Sequence, residues 1–290
     1  MLKAAIETLR PRQWIKNLVI FAGIIFDGQL TQTGPLLRVS AAVFIFCLVS
    51  GMTYTINDLM DREHDRLHPV KQNRPIASGR LSVPQAIFLI VLLALISLPA
   101  AFYLSPWFGL VCIGYTILML LYSKWLKQIK IVDVMVLALG FVLRVLAGTL
   151  VIKVNYLSPW LFVLTTLLAL FLGFGKRYSE LKLLDSQAGS FRKVLKGYSL
   201  PLLTQYLQVI LAAILITYSL YTFSAHPDGT NYTMMLTIPF VFYGIFHYLD
   251  ILQSGTMAAS PEEVILSDRP LQVTVILWAA SVMVILYLVY

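Results

Sequence analysis

Apolar runs long enough to cross about 30 Å of hydrocarbon as helix recur along the whole chain, separated by short polar segments. They predict about nine spans, near residues 13–29, 36–58, 84–104, 106–122, 131–152, 157–176, 200–224, 233–252 and 270–290. The first is short and carries Lys16, Asn17 and Asp27, so neighbouring helices must cover its polar groups. The connections at 104–106 and 155–158 are tight, and the longest polar segments fall on the opposite side, where chemistry is expected. The pattern describes an all-α polytopic membrane protein, a single helical domain over residues 1–290.

Composition sharpens this picture. Of 290 residues, 59% are hydrophobic and 12% charged, and the mean hydropathy of +0.80 excludes disorder, coiled coil and disulfide scaffold. Cys47 and Cys112 both lie in apolar stretches and form no redox or metal pattern. Basic loops resist translocation. With the N-terminus inside, 19 of the 22 Lys and Arg fall on the cytoplasmic side, leaving Arg38, Lys153 and the intramembrane Arg144. That places the active mouth in the cytoplasm and the C-terminus outside the cell membrane. Lys3, Arg10, Arg12 and Lys16 precede a span with Asp27 and no small-residue cleavage site, as in a retained anchor. The net charge of +8 is thus one-sided, and points to anionic lipid or phosphate rather than to nucleic acid.

The acids after the second span carry the strongest chemical signal. Asn57, Asp58, Asp61 and Asp65 stand in an NDxxDxxxD pattern at a membrane edge. At about 100° per residue, Asp61 lies roughly 60° from Asp58 and Asp65 roughly 20° from it, on one helical face. Like charges so placed call for a cation between them. Magnesium suits, because it takes oxygen ligands and bridges a few carboxylates to substrate phosphates. The competing reading is a solvated acidic face balanced by Arg62 and Arg66. The adjoining span counts against it, as do Lys71, Asn73 and Arg74, which follow closely and suit phosphate oxygens left uncovered by metal.

These residues, with Asn73-Arg-Pro-Ile-Ala-Ser-Gly79, resemble the first aspartate-rich motif of the UbiA superfamily of intramembrane prenyltransferases. The resemblance implies a helical bundle around a cavity, with Mg2+ and a diphosphate at its cytoplasmic mouth and a side portal open to lipid. Many superfamily members carry a second aspartate-rich motif, DxxxD. Here the corresponding segment, residues 175–185, holds only Glu180 and Asp185, among six basic residues between Lys176 and Lys196. Its Lys-Arg-Tyr-Ser-Glu-Leu string, with Arg10-Pro-Arg-Gln-Trp-Ile-Lys-Asn17, is similar to the decaprenyl-phosphate phosphoribosyltransferase subgroup. That likeness implies a polyprenyl phosphate lipid as acceptor and phosphoribosyl pyrophosphate as donor.

On this reading Asp58, Asp61 and Asp65 hold the metal, and Asp58, Asp61, Lys71 and Arg74 carry catalysis. Substrate contacts are expected from Arg12, Lys16, Asn17, Tyr54, Asn57, Arg66, Lys124, Asp133, Arg144, Lys176, Arg177, Tyr178, Glu180 and Arg192. Glu180 is spaced to pair with Lys176 at i+4 or Arg177 at i+3. Asp133 and Arg144, eleven residues apart in one span, fall within about 20° of each other and should both face the interior. Tyr122, Ser123, Lys124 and Lys127 fit either a phosphate contact or a helix anchor. His247 and Asp250 suggest a local hydrogen bond, and His64 and His68 stand beside the acids. Two other readings stay open: prenyl transfer from a diphosphate to an aromatic ring, and transport along Asp133, Arg144 and Asp250. The oligomeric state is undetermined, a homo-oligomer included.

Overall fold

The computed structural model describes residues 2–67, 71–152, 154, 158–184, 193–225, 231–254 and 261–289. Among these residues every regular element is helical. Helix α1 is Leu2–Thr8, α2 Ala22–Phe26, α3 Thr33–Met60, α4 Arg62–Arg66, α5 Val83–Leu104 and α6 Pro106–Lys124. Helix α7 is Val132–Val151, α8 Pro159–Leu184, α9 Leu200–Phe223, α10 Ile238–Ser254, α11 Pro261–Ser267 and α12 Arg269–Val284.

Eight helical segments among the described residues are long and apolar enough to cross a membrane, corresponding to the second to ninth expected spans. The first expected span differs. Residues Pro11–Phe21 wind as a 3-10 helix that passes into the five-residue α2, which ends at Asp27 and a left-handed Gly28. Four later helices start as their sequences dictate. Ser82, Ser105, Ser199 and Asp268 accept hydrogen bonds from the backbone of the first turn, and a proline stands in that turn each time. At Ser82 the Gln85 side chain returns the bond, closing a capping box.

The chain forms two compact units, residues 1–127 with 140–157, and residues 128–139 with 158–290; the boundary falls within α7. In the first unit, Ile20, Ile24, Val39, Phe46, Phe108, Cys112 and Tyr115 pack into one core, joined by Ala147 and Val151. A smaller cluster of Ala4, Ile76, Leu81 and Ala86 seats α1. In the second, Phe171, Phe174, Leu203, Leu207, Tyr248 and Leu271 form the core, with Val134 against it. Outward faces stay apolar, with Phe88 and Leu95 on α5 and Val209 and Ile216 on α9 exposed. Exposed apolar rows of this kind suit lipid, not water.

Candidate active site

Helix α3 ends where the acids begin. Asp58 is buried in its last turn, and Asp61 terminates it at φ −90° and ψ 4°. The helical hydrogen bonds nevertheless continue, from Asp61 N–H to Asn57 C=O at 2.9 Å and from Asp65 N–H to Asp61 C=O at 2.8 Å. The pitch therefore survives the break, and Asp65, on α4, returns to the side of Asp58. One Arg74 nitrogen, Nη1, donates to Asp58 Oδ1 at 3.0 Å and to Asp65 Oδ2 at 2.7 Å. Asp58 Oδ1 also accepts from Arg10 Nη2. Asp61 faces elsewhere: Lys127 Nζ lies 2.8 Å from both of its oxygens.

The balancing cations are thus Arg10, Arg74 and Lys127, not the neighbours in sequence. Arg66 donates to the Ala77 carbonyl at 3.1 Å and pairs with Glu63, and Arg62 lies 3.7 Å from the same glutamate. The acids are deeply covered while their cations are not. The Asp58 and Asp65 side chains are 2% and 5% exposed, Arg10 and Arg74 21% and 26%. Lys71 is half-buried in the short 3-10 turn Lys71–Asn73, and its carbonyl accepts the Arg74 N–H at 2.9 Å. Asn57 and Tyr54 are half-buried beside Asp58, with the Arg10 guanidinium over the Tyr54 ring, 5.2 Å from its centroid.

This donor set fits a hard divalent cation. Two carboxylates already converge on one cationic point, Arg74 Nη1, and all their donor atoms are oxygen. Among the described residues no three His, Cys, Asp or Glu side chains are grouped to hold a metal together. Asp58 and Asp65 could hold such a cation where Arg74 Nη1 stands, with further ligand positions left to water and phosphate.

Arg10 owes its place to a strained turn. Its backbone is left-handed at φ 53° and ψ 62°, uncommon for a residue with a side chain. Trp14 Nε1 donates to the Leu9 carbonyl at 3.1 Å. Arg80 forks onto both Glu7 oxygens at 2.8 and 2.9 Å, tying α1 to the loop after the acids. This pair holds the Glu7 carboxyl below its usual range. The sequence set Arg10 among the basic residues before the first span and in the string similar to the phosphoribosyltransferase subgroup, but gave no sign of its contact with Asp58.

The other expected residues divide between the two units. In the first, Arg12 is exposed, Lys16 half-buried, and the exposed Lys124 rests over the Trp125 ring at 4.4 Å. Asn17 is buried, donating to Ser50 Oγ at 3.1 Å and Cys47 Sγ at 3.2 Å. Its side-chain oxygen accepts from Arg144 Nε at 2.8 Å, so two residues expected at different depths form one network. Arg144 also donates to the Gly140 carbonyl and the Tyr115 hydroxyl, both at 2.8 Å, amid the rings of Phe46, Tyr115 and Phe141.

In the second unit, Asp133 faces Arg177, whose Nε lies 2.7 Å from its Oδ2. Tyr198 donates to Asp133 Oδ1 at 2.9 Å and accepts the Ile131 N–H at 2.7 Å. Burial first, and the Asp133 charge with it, push the Tyr198 phenol well above its usual range, which keeps it a donor. Arg177 also meets Glu180 at 2.8 Å, the expected i+3 pair. Lys176 and Tyr178 are half-buried. His247 pairs with Asp268 at 3.0 Å, a residue that also caps α12, rather than with the expected Asp250. Arg192, Asp185, His68 and Lys153 lie outside the described residues.

Residues 18–262 match the UbiA prenyltransferase family. A decaprenyl-phosphate phosphoribosyltransferase of Mycolicibacterium smegmatis is 32% identical over 306 residues, covering 99% of this chain and 93% of that protein. The enzyme of the same name from Corynebacterium glutamicum is 30% identical, covering 98% of this chain and 86% of its own. A solved UbiA homologue from Archaeoglobus fulgidus bound to GPP and Mg2+ shares the fold, with a TM-score of 0.74 at 22% identity. That match covers 98% of this chain and 99% of the other.

Proposed function

The chain belongs to the UbiA prenyltransferase family, and within it we propose that this membrane transferase moves 5-phosphoribose from phosphoribosyl pyrophosphate to a polyprenyl phosphate, releasing pyrophosphate in a magnesium-dependent reaction. The observation that carries the reading is the convergence of buried Asp58 and Asp65 on one cationic point, roofed by partly exposed Arg10 and Arg74. The near full-length relatives, named as phosphoribosyltransferases, favour this donor. The second polar segment, basic and without a DxxxD motif, favours it too.

Asp58 and Asp65 would hold magnesium, which when bound neutralises charge on the departing pyrophosphate. Arg74, which pairs with both carboxylates here, would yield that place to the metal and turn its N–H groups to phosphate oxygens, with Lys71 three residues before it. Lys127, partly exposed above Asp61, adds a third cation. The acceptor is a phosphate monoester, already anionic near neutral pH, so attack at the anomeric carbon requires no strong general base. Catalysis is then chiefly positioning and preorganised positive charge. The site faces the cytoplasm, on the side that holds most of the basic residues.

Purified protein in lipid nanodiscs, given magnesium and a short polyprenyl phosphate, is expected to release pyrophosphate from phosphoribosyl pyrophosphate only when the lipid is present. Turnover of geranyl diphosphate with hydroxybenzoate, and none of phosphoribosyl pyrophosphate, would replace this reading with aromatic prenylation.

A further inference from the structure

We propose that Arg10 is a ligand for the donor's polyphosphate, stored on Asp58 as a counter-ion and released to the substrate when a divalent cation takes that carboxylate. The inference rests on the assignment of Asp58 and Asp65 to the metal, and adds to it a coupling between metal and polyanion.

Asp58 Oδ1 is held by two guanidinium groups, those of Arg10 and Arg74. Arg74 has a second acid, Asp65. Arg10 has none among its described partners, only the Tyr54 ring below it. Asp61 is covered separately by Lys127. The three aspartates and three cations therefore balance to zero, and a divalent cation brings an excess of two positive charges. A cation held by Asp58 and Asp65 competes with Arg74 as well as with Arg10 for these oxygens, and Arg10, whose one acid among its described partners is Asp58, is then left to meet another anion. Its guanidinium is partly exposed, on the outer side of a buried carboxylate. A planar fork in that place is suited to phosphate oxygens.

The backbone supports this assignment. A left-handed arginine persists only where its surroundings over-determine it, and such residues gather at functional sites. Here the turn is held from several sides. Leu9 packs so closely on Gly51 that a Cβ there would lie 3.1 Å from its side chain, Trp14 ties down the Leu9 carbonyl, and the Glu7–Arg80 fork fixes α1. The backbone of Arg10 is thereby fixed, while its guanidinium can exchange one oxygen anion for another.

Arg10 should therefore oppose the metal alone and assist the metal with polyphosphate. Full-length protein in nanodiscs would be titrated with Mn2+, read by the electron paramagnetic resonance of the free ion, with and without inorganic pyrophosphate. In Arg10→Gln, Mn2+ alone is expected to bind as tightly as in the unsubstituted protein or more tightly. Pyrophosphate affinity in the presence of Mn2+ is expected to fall about tenfold or more, the loss typical of a charge-assisted contact. Arg10→Lys, which keeps the charge without the fork, is expected to lose less, and it carries the test if the glutamine variant does not fold. Equal weakening of both ligands would make Arg10 a prop for Asp58 and overturn the proposal, as would no change in either. Asp58→Asn separates the two levels. If it leaves Mn2+ binding intact, the metal assignment itself fails; if it abolishes Mn2+ binding while Arg10→Gln changes nothing, only the role of Arg10 fails.

Discussion

Two acid and base clusters, one in each unit, are built from the same side chains to opposite ends. In the first unit, Asp58 and Asp65 are buried, while Arg10, Arg74 and Lys127 stay partly exposed above their acids. In the second, both members of the Arg177–Asp133 pair are buried, at 1% and 0% exposure, and Tyr198 occupies the other carboxylate oxygen. Cations at the edge of water can exchange a carboxylate for a phosphate without stranding a charge in an apolar interior. Arg177 cannot leave Asp133 without doing so. The first arrangement leaves its cations open to solvent, as the proposed ligand exchange requires, whereas the second ties the start of α7 to α8 and to Tyr198.

The largest effect is expected at Asp58. Asp58→Asn keeps the shape and removes the charge. It is expected to lower turnover by about a hundredfold to a thousandfold, as loss of a group that supports transition-state charge does, while the thermal unfolding midpoint changes little. Product formation and calorimetry on the same preparation check both halves. Arg177→Ala is expected to act the other way round, leaving the buried Asp133 charge without its arginine at a cost of about 3–5 kcal/mol of stability. The double variant Arg177→Met with Asp133→Asn should recover much of that loss in denaturant titrations. An equal loss in the double variant would show that the pair is not what is being measured.

The smallest effect belongs to the exposed Glu7–Arg80 pair. The folded-state pKa of Glu7 is depressed, first by its hydrogen bond to Arg80. Its contribution is therefore present above the unfolded carboxylate value and lost as pH falls through the lower folded one. Unsubstituted protein should unfold at a slightly higher temperature than Glu7→Gln at pH 7, and at the same temperature near pH 3. High salt should erase the difference at neutral pH.

Most of the architecture was legible because eight spans are near-continuous apolar runs, opened in several cases by a Ser or Asp followed by proline. The first expected span was legible only in part: Lys16, Asn17 and Asp27 showed that it needs cover, but not that Cys47, Ser50 and Arg144, up to 127 residues away, supply it to Asn17. Helical spacing put Asp58, Asp61 and Asp65 on one face; Asp58 and Asp65 do meet at Arg74, whereas Asp61 turns to Lys127. Spacing could not name their cations, since Arg10 stands 48 residues before Asp58 and Lys127 66 after Asp61. The nearest candidate, Arg66, is drawn instead to the Ala77 carbonyl and Glu63. His247 follows the same rule, taking Asp268 21 residues on over its near neighbour Asp250. Local periodicity fixes which face a side chain occupies, whereas the partner of a buried charge is settled by tertiary packing.

The central claim is that buried Asp58 and Asp65 form the metal and polyphosphate site of a phosphoribosyl transfer. It is tested most directly by radiolabelled phosphoribosyl pyrophosphate, incubated with magnesium, polyprenyl phosphate and nanodisc-embedded protein, with the label counted in the organic phase. Magnesium-dependent label in lipid that disappears in both Asp58→Asn and Asp65→Asn is the expected result. Label that persists undiminished in those variants, or that never enters the lipid with the unsubstituted protein, would contradict it.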